Sequence, residues 1–163
     1  LKHSGPAAIR YPRGVGPGHE LLDAPQPLTI GEGEKIKDGR DGAVLAVGSR
    51  VYPALEAVHH LEKRTSETFA VYNARFIKPL PAHLLLELAD QHSRIVILEE
   101  NALAGGFSSA VLEFLADNQL LSGLQVTRLG LPARFIPHGT IKDQLQETGL
   151  DIQSIEATLE NLK

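Results

Sequence analysis

The sequence predicts an α/β domain, with a mostly parallel, mixed sheet flanked by helices. Two observations favour this class. Short apolar segments alternate with longer amphipathic segments along most of the chain, and this order is typical of parallel strands joined by right-handed helical crossovers. Hydrophobic residues make up 42% of the 163 residues and charged residues 22%, which suffices for a packed core.

Each element has its own signal. Residues 43–47, 68–72, 94–98 and 124–129 are apolar runs of the kind found in strands buried on both faces. Residues 31–37 alternate and predict a further strand. Apolar residues at helical spacing predict helices over 52–64, 82–91, 107–116 and 141–147. Gly149 is placed to end the fourth helix, and Asp151 is placed to cap a fifth.

The first 29 residues differ from the rest because they are rich in glycine and proline. Residues 7–11 predict a short strand that Pro12 ends, and residues 14–27 read as a linker or crossing loop. We therefore divide the chain into an N-terminal segment, 1–29, and a domain, 30–163.

Composition excludes several classes of function. Sixteen Lys and Arg against twenty Asp and Glu give a net charge of −4, which disfavours nucleic-acid binding. The chain has no cysteine, so it has no disulfide and no thiolate metal site. Its seven histidines lack the spacing of metal ligands. No apolar run is long enough for a membrane span, and we expect a soluble, intracellular protein.

The start of the chain suggests processing or truncation, because the sequence begins with Leu1 and contains no methionine. Nearby, Arg13 lies between Pro12 and Gly14, where a stiff backbone can hold its guanidinium and a glycine lets a ligand approach. Arginine suits forked recognition of phosphate or carboxylate. A solvated surface arginine is the alternative. The nearby glycines from Gly14 to Gly18 lack the spacing of a dinucleotide-binding loop.

A pair of carboxylates ends the third apolar run, in the sequence Glu99-Glu100-Asn101. Adjacent strand residues point to opposite faces, so the two cannot form an acid–base dyad, and we expect at least one to pair with a cation or cap a turn. Gly105 and Gly106 precede the helix at 107–116. They could open a helix start to an anion, but we favour a tight turn with close packing.

Several motifs occur together in one order. They are Ile9-Arg10-Tyr11-Pro12-Arg13-Gly14, Asn73-Ala74-Arg75-Phe76-Ile77-Lys78-Pro79-Leu80, Glu99-Glu100-Asn101-Ala102 with Ala104-Gly105-Gly106-Phe107, and Gly130-Leu131-Pro132 with Arg134-Phe135-Ile136-Pro137-His138-Gly139. In this order the chain resembles the 1-deoxy-D-xylulose-5-phosphate synthase family of transketolase-like enzymes. The family usually has Asp where this chain has Pro81 and Gly where it has Ser108.

The resemblance implies a three-domain homodimeric enzyme that uses thiamine diphosphate and Mg²⁺. Such an enzyme joins pyruvate to D-glyceraldehyde 3-phosphate with loss of CO₂, for isoprenoid, thiamine and pyridoxal synthesis. Residues 1–29 would be the end of the pyrimidine-binding domain and a linker, and 30–163 the C-terminal domain. Arg13 matches an arginine that holds the acceptor's phosphate, and Arg10 is a weaker candidate for the same role.

The resemblance places no catalytic group, metal or cofactor in these 163 residues. Alone, the chain is expected to serve dimerisation and scaffolding, to be inactive and to bind no thiamine diphosphate tightly. Its partners would be the rest of its own enzyme and small-molecule substrates, in a bacterial cytoplasm or a plant plastid. Two alternatives remain: a free-standing interaction domain, or a subunit of a split transketolase or 2-oxoacid dehydrogenase β-type enzyme.

Overall fold

The computed structural model describes residues 4–11 and 26–162. Its strands are β1 (Glu34–Lys37), β2 (Gly42–Ala46), β3 (Phe69–Asn73), β4 (Arg94–Ala102) and β5 (Gln125–Leu131). Its helices are α1 (Val51–Glu62), α2 (Ala82–Gln91), α3 (Phe107–Asp117), α4 (Ile141–Glu147) and α5 (Ile152–Glu160), with a 3₁₀ turn at Gly48–Arg50 before α1.

The five strands form one mixed sheet in the order β1-β3-β2-β4-β5. β2 pairs in parallel with β3 and β4, and β4 pairs in parallel with β5. β1 pairs antiparallel with β3, and its register shifts between Lys35 and Lys37. The predicted fold class is confirmed, and the antiparallel edge strand explains why the sheet is mixed.

The core lies on both sides of the sheet, because alternate strand residues point to opposite faces. Val44, Val71, Val96 and Leu98 belong to one buried cluster with α1 and α5. Their neighbours Leu45, Tyr72, Ile95 and Ile97 belong to another with α2 and α3. We refer to these as the α1/α5 face and the α2/α3 face.

The predicted bounds of α2 and α4 are confirmed. β4 is longer than predicted, because its pairing with β5 extends to the match of Ala102 with Leu131. None of the described helices has the length and hydropathy needed to cross a membrane.

One local prediction is wrong, and a second is confirmed only in position. Residues 7–11 are exposed and irregular, because a strand needs a partner and this segment pairs with none of the described strands. Asp151 stands at the N-cap of α5, but its side chain accepts no capping hydrogen bond. Thr140 instead caps α4, where its hydroxyl and the Asp143 carboxylate form a reciprocal capping box. The predicted linker, 14–27, falls mostly outside the described residues.

Candidate functional site at the carboxyl edge of the sheet

The carboxyl ends of the four parallel strands meet at one edge of the sheet, which is where ligands bind in open α/β folds. At this edge the chain leaves β2 into the turn Gly48–Arg50, leaves β4 into the segment before α3, and leaves β5 at Leu131. The Leu103 amide donates to the Leu131 carbonyl at 2.9 Å, so the ends of β4 and β5 stay together. This carboxyl edge therefore holds the Glu99-Glu100-Asn101 motif.

Glu99 points to the α2/α3 face and is fully buried, with 0% of its surface exposed. Its carboxylate accepts hydrogen bonds from the amides of Phe107, at 2.7 Å, and Ser108, at 2.8 Å. These amides are among the unpaired N–H groups of the first turn of α3, where a negative charge is favoured. The Glu99 carboxylate therefore caps the N-terminus of α3.

The two glycines before α3 make this cap possible in different ways. A Cβ on Gly106 would lie 2.1 Å from the Ala102 carbonyl oxygen and 2.5 Å from Glu99 Oε2. Gly105 has open space around it, but its φ is +70°, a conformation that favours glycine. The packing interpretation is confirmed at Gly106, and the tight turn at Gly105.

Glu100 points to the opposite face and is held by side chains. Its carboxylate accepts from Ser49 Oγ at 2.5 Å and pairs with Arg50 Nη2 at 3.1 Å. Arg50 is 7% exposed, and its Nη1 donates to the Leu150 carbonyl at 3.0 Å. Burial lowers the pKa of Arg50, and the charge of Glu100 opposes that shift. The prediction that at least one of these carboxylates pairs with a cation or caps a turn is confirmed: Glu99 caps α3 and Glu100 pairs with Arg50.

The N-terminal segment reaches the same edge through Arg10. An Nη of Arg10 donates to the Glu100 carbonyl at 2.8 Å. Glu100 therefore joins three parts of the chain: the N-terminal segment, the turn before α1 and, through Arg50, the start of α5. Arg13, the main candidate phosphate ligand, lies outside the described residues, so its role stays a prediction.

A second polar cluster lies between β1, β3 and α2, with Tyr72 and His92 buried and Lys35 and Glu87 partly exposed. The Tyr72 hydroxyl lies 3.1 Å from His92 Nε2, and Lys35 Nζ lies 2.6 Å from a Glu87 carboxylate oxygen. Burial lowers the pKa of His92, and the charge of Lys35 adds to this. Burial also raises the pKa of Tyr72. Both groups are therefore neutral at physiological pH.

The two positions where this chain differs from the family's usual residues, 81 and 108, lie at helix starts. Pro81 occupies the N-cap of α2, and no side chain caps the helix there. Ser108 is buried in the first turn of α3, and its Oγ has no hydrogen-bond partner among the described residues.

The described residues do not fit thiamine diphosphate with Mg²⁺. They contain no group of three or more acidic or histidine side chains placed to hold a metal ion. The carboxylates of Glu99 and Glu100, the acidic pair of the carboxyl edge, are both engaged within the chain. No chemical step through that cofactor can be built on these residues.

Two side chains of this edge, Ser49 and Arg50, were missed by sequence reasoning. The available signal was a polar and a charged residue directly after a buried strand, at the edge where parallel strands place functional groups. The role of Leu150, whose backbone carbonyl accepts from Arg50, has no sequence signal.

Comparison with known proteins identifies the class of this domain. A family model described as "Transketolase, C-terminal domain" matches residues 31–155. The chain belongs to this transketolase C-terminal domain family.

Two curated relatives show which enzymes this domain is similar to. The chain is 51% identical over 159 residues to the 1-deoxy-D-xylulose-5-phosphate synthase of Oleidesulfovibrio alaskensis, covering 98% of this chain and 25% of the relative. It is 49% identical over 162 residues to the synthase of Nitratidesulfovibrio vulgaris strain DP4, covering 99% and 25%. The chain thus spans about a quarter of the length of these relatives.

Two solved structures have the same fold. One, described as a split gene transketolase, inactive beta4 tetramer, aligns with a TM-score of 0.77 and 27% identity over 88% of this chain and 46% of that chain. The transketolase of Campylobacter jejuni aligns with a TM-score of 0.54 and 16% identity over 80% of this chain and 18% of that chain. The second likeness concerns the fold alone.

Proposed function

We propose that this chain is the C-terminal part of a 1-deoxy-D-xylulose-5-phosphate synthase. Such an enzyme condenses pyruvate with D-glyceraldehyde 3-phosphate, and the carboxyl group of pyruvate leaves as CO₂. The product is a precursor for isoprenoids, thiamine and pyridoxal. The observation that carries the proposal is the 51% identity to a synthase over 98% of the chain.

In the intact enzyme, thiamine diphosphate with Mg²⁺ would supply an ylid and an electron sink. We place that cofactor on parts of the enzyme outside this chain, because the described residues offer no ligand set for the metal. This chain would contribute no catalytic residue. Its own contribution to substrate binding would be Arg13, whose guanidinium would donate two parallel hydrogen bonds to the phosphate of the aldehyde substrate. Arg10 is a weaker candidate for the same phosphate.

The experiment replaces Arg13 by Met in the intact enzyme and compares two acceptors. Loss of a charge-assisted pair predicts an increase of about tenfold or more in KM for D-glyceraldehyde 3-phosphate. The KM for unphosphorylated D-glyceraldehyde should stay unchanged. Arg40→Met, at an exposed arginine in the turn before β2, is the matched control. Equal KM changes for both acceptors would contradict the role of Arg13 in phosphate binding, and absence of product from the wild-type enzyme would contradict the proposed activity.

We propose two further properties of the chain by itself: that it scaffolds and dimerises the enzyme, and that it neither turns over substrate nor binds thiamine diphosphate tightly. Calorimetric titration of the chain with thiamine diphosphate and Mg²⁺ should show no tight binding. Measured turnover by the chain alone would contradict this proposal. We place the intact homodimeric enzyme in the bacterial cytoplasm, in keeping with its bacterial relatives.

A second candidate is a subunit of a split transketolase-type enzyme, and one observation favours it. The structural neighbour with a TM-score of 0.77 is described as a split gene transketolase. Immunoblotting of the source cells separates the two candidates. A band several times heavier than 17.6 kDa supports an intact synthase. A band closer to 17.6 kDa supports a split enzyme whose partner chain binds thiamine diphosphate.

A further inference from the structure

The end of β4 presents a backbone carbonyl at the carboxyl edge of the sheet. β4 pairs with β5 at Leu98 and again at Ala102, and the residues between them face Gly130 of β5. The pairing of β4 with β2 ends at Leu98. A β-bulge of this kind interrupts the hydrogen-bond ladder and leaves backbone groups without a strand partner. The carbonyl of Glu100, in the middle of the bulge, is therefore available to a donor from outside the sheet.

The bulge is held in place by its neighbours. A Cβ on Gly130 would lie 3.0 Å from the Asn101 carbonyl oxygen, so β5 packs closely against the backbone of the bulge. The Glu100 side chain is fixed as well, because its carboxylate accepts from Ser49 Oγ and pairs with Arg50. The Glu100 carbonyl is thus a hydrogen-bond acceptor at a fixed position on the domain.

Arg10 provides the donor from outside the sheet. One of its Nη atoms donates to the Glu100 carbonyl at 2.8 Å, although residues 4–11 are exposed along their length. A hydrogen bond with one charged partner is stronger than a neutral one. Arg13 follows three residues later in the sequence, and three steps of about 3.8 Å keep its Cα within about 11 Å of the Arg10 Cα. Pro12 restricts the backbone between them further.

We propose that Arg10 is a positioning residue, whose bond to the Glu100 carbonyl fixes the segment that carries Arg13 and so sets where the acceptor's phosphate binds. This inference rests on the proposed function, which gives Arg13 its role in phosphate binding. It gives Arg10 a role other than that of a second phosphate ligand. A guanidinium engaged with a backbone carbonyl has fewer donors for the paired hydrogen bonds of phosphate recognition. The C-terminal domain then contributes to substrate binding without contacting the substrate.

The experiment is a double-mutant cycle in the intact enzyme, made of Arg10→Met, Arg13→Met and the double variant. KM and kcat are measured with D-glyceraldehyde 3-phosphate and with unphosphorylated D-glyceraldehyde as acceptors. Arg40→Met, at an exposed arginine, is the matched control, and circular dichroism checks that each variant is folded. Arg10→Lys tests the bond itself, because lysine can donate to a carbonyl but cannot form a forked contact with phosphate.

Positioning predicts that Arg10→Met raises KM for the phosphorylated acceptor by about three- to tenfold and changes kcat by less than about twofold. The KM for the unphosphorylated acceptor should stay unchanged. In the Arg13→Met background, Arg10→Met should change KM by less than about 1.5-fold, because the residue that it positions is already gone. Arg10→Lys should restore most of the wild-type KM.

Four results would overturn the proposal while leaving the activity in place. A further increase in KM when Arg10→Met is added to Arg13→Met would show that Arg10 binds phosphate itself. An unchanged KM in Arg10→Met would show no role for Arg10, and an unchanged KM in Arg13→Met would leave it nothing to position. A KM for Arg10→Lys as high as that of Arg10→Met would exclude the carbonyl bond as the cause. Absence of product from the wild-type enzyme would instead contradict the proposed function.

Discussion

The two faces of the sheet neutralise their buried charges in different ways. On the α2/α3 face, the Glu99 carboxylate is matched by two backbone amides of α3. On the α1/α5 face, the Arg50 guanidinium is matched by the Glu100 carboxylate and the Leu150 carbonyl. Glu99 lies in the last part of β4, and Arg50 lies in the turn that follows the adjacent strand β2.

The difference concerns what each charge holds in place. Backbone amides at a helix start are fixed by the helix, so Glu99 ties the position of α3 to β4. The side-chain partners of Arg50 and Glu100 can rearrange. The Glu100 side chain is also 27% exposed, so water can replace part of the hydrogen bonding that Glu100 loses when a partner is removed. We therefore expect the α2/α3 face to be the less tolerant of substitution.

The largest expected effect is that of Glu99→Gln. The amide replaces one accepting oxygen by an NH₂ group that opposes an N–H donor, and it removes the charge. Charge-assisted hydrogen bonds contribute about 1.5–3 kcal/mol each, so we expect a loss of about 3 kcal/mol in the free energy of unfolding. Urea denaturation measures it. Glu113→Gln, at an exposed position of α3, should cost less than about 0.5 kcal/mol; equal losses would refute the capping role of Glu99.

The next largest effect is a difference in stability loss between substitutions of Gly106 and Gly105, the two glycines of the turn before α3. Gly106→Ala places a methyl group against the Ala102 carbonyl and the Glu99 carboxylate, and such overpacking costs about 1–3 kcal/mol. Gly105→Ala meets open space and pays only for its left-handed conformation, about 1 kcal/mol. Thermal unfolding of both variants tests this order, and a larger loss for Gly105→Ala would contradict the close packing at Gly106.

On the α1/α5 face, we expect the loss of Glu100 and the loss of Arg50 to lower the free energy of unfolding by different amounts. Glu100→Gln leaves the buried Arg50 charge without its counter-ion, whereas Arg50→Met leaves a carboxylate that water reaches. Removing one partner of a buried pair is the costly change, so Glu100→Gln should lose about 2 kcal/mol and Arg50→Met about 1 kcal/mol. The double variant should resemble Arg50→Met. Equal losses in the two single variants would show that both charges are equally solvated.

The smallest effect concerns His92 on the α2/α3 face and depends on pH. Its pKa in the folded protein is lowered, first by burial and then by the charge of Lys35. The unfolded chain therefore binds the proton more readily, and the stability that His92 contributes above its unfolded pKa, about 6.5, is lost as pH falls below it. His92→Gln should flatten the dependence of unfolding free energy on pH between about 7.5 and 5.5, by at most about 1.4 kcal/mol per pH unit. The exposed His83 serves as the control, and an unchanged slope in His92→Gln would contradict the prediction.

Local signals in the sequence account for most of the fold. Apolar runs identify β2, β3 and β4, because these strands are buried on both faces. The exposed strand β1 was predicted from its alternation instead, and α4 follows helical spacing although none of its residues is buried. The order of the strands depends on pairings between distant segments and has no such signal. The strand predicted over 7–11 is wrong for a related reason, since the residues of a segment do not show whether it has a strand to pair with.

The candidate site was predictable in part. Period-two alternation is enough to separate Glu99 from Glu100, and the glycines before α3 indicate a tight turn. The partner of Glu100 is not readable in the same way, because Arg50 lies 50 residues away by sequence number and meets Glu100 only through the pairing of β2 with β4. The contact of Arg10 with the Glu100 carbonyl is likewise a product of tertiary structure.

The short antiparallel strand β1 has a consequence for assembly. Its sequence, Glu34-Lys35-Ile36-Lys37, carries three charges in four residues and a shift in register. Charged side chains and bulges at a sheet edge discourage pairing with a strand from another molecule. A sheet that continues from molecule to molecule needs both edge strands, β1 and β5. The β1 edge therefore disfavours such a filament, and pairing through the β5 edges alone would stop at two molecules.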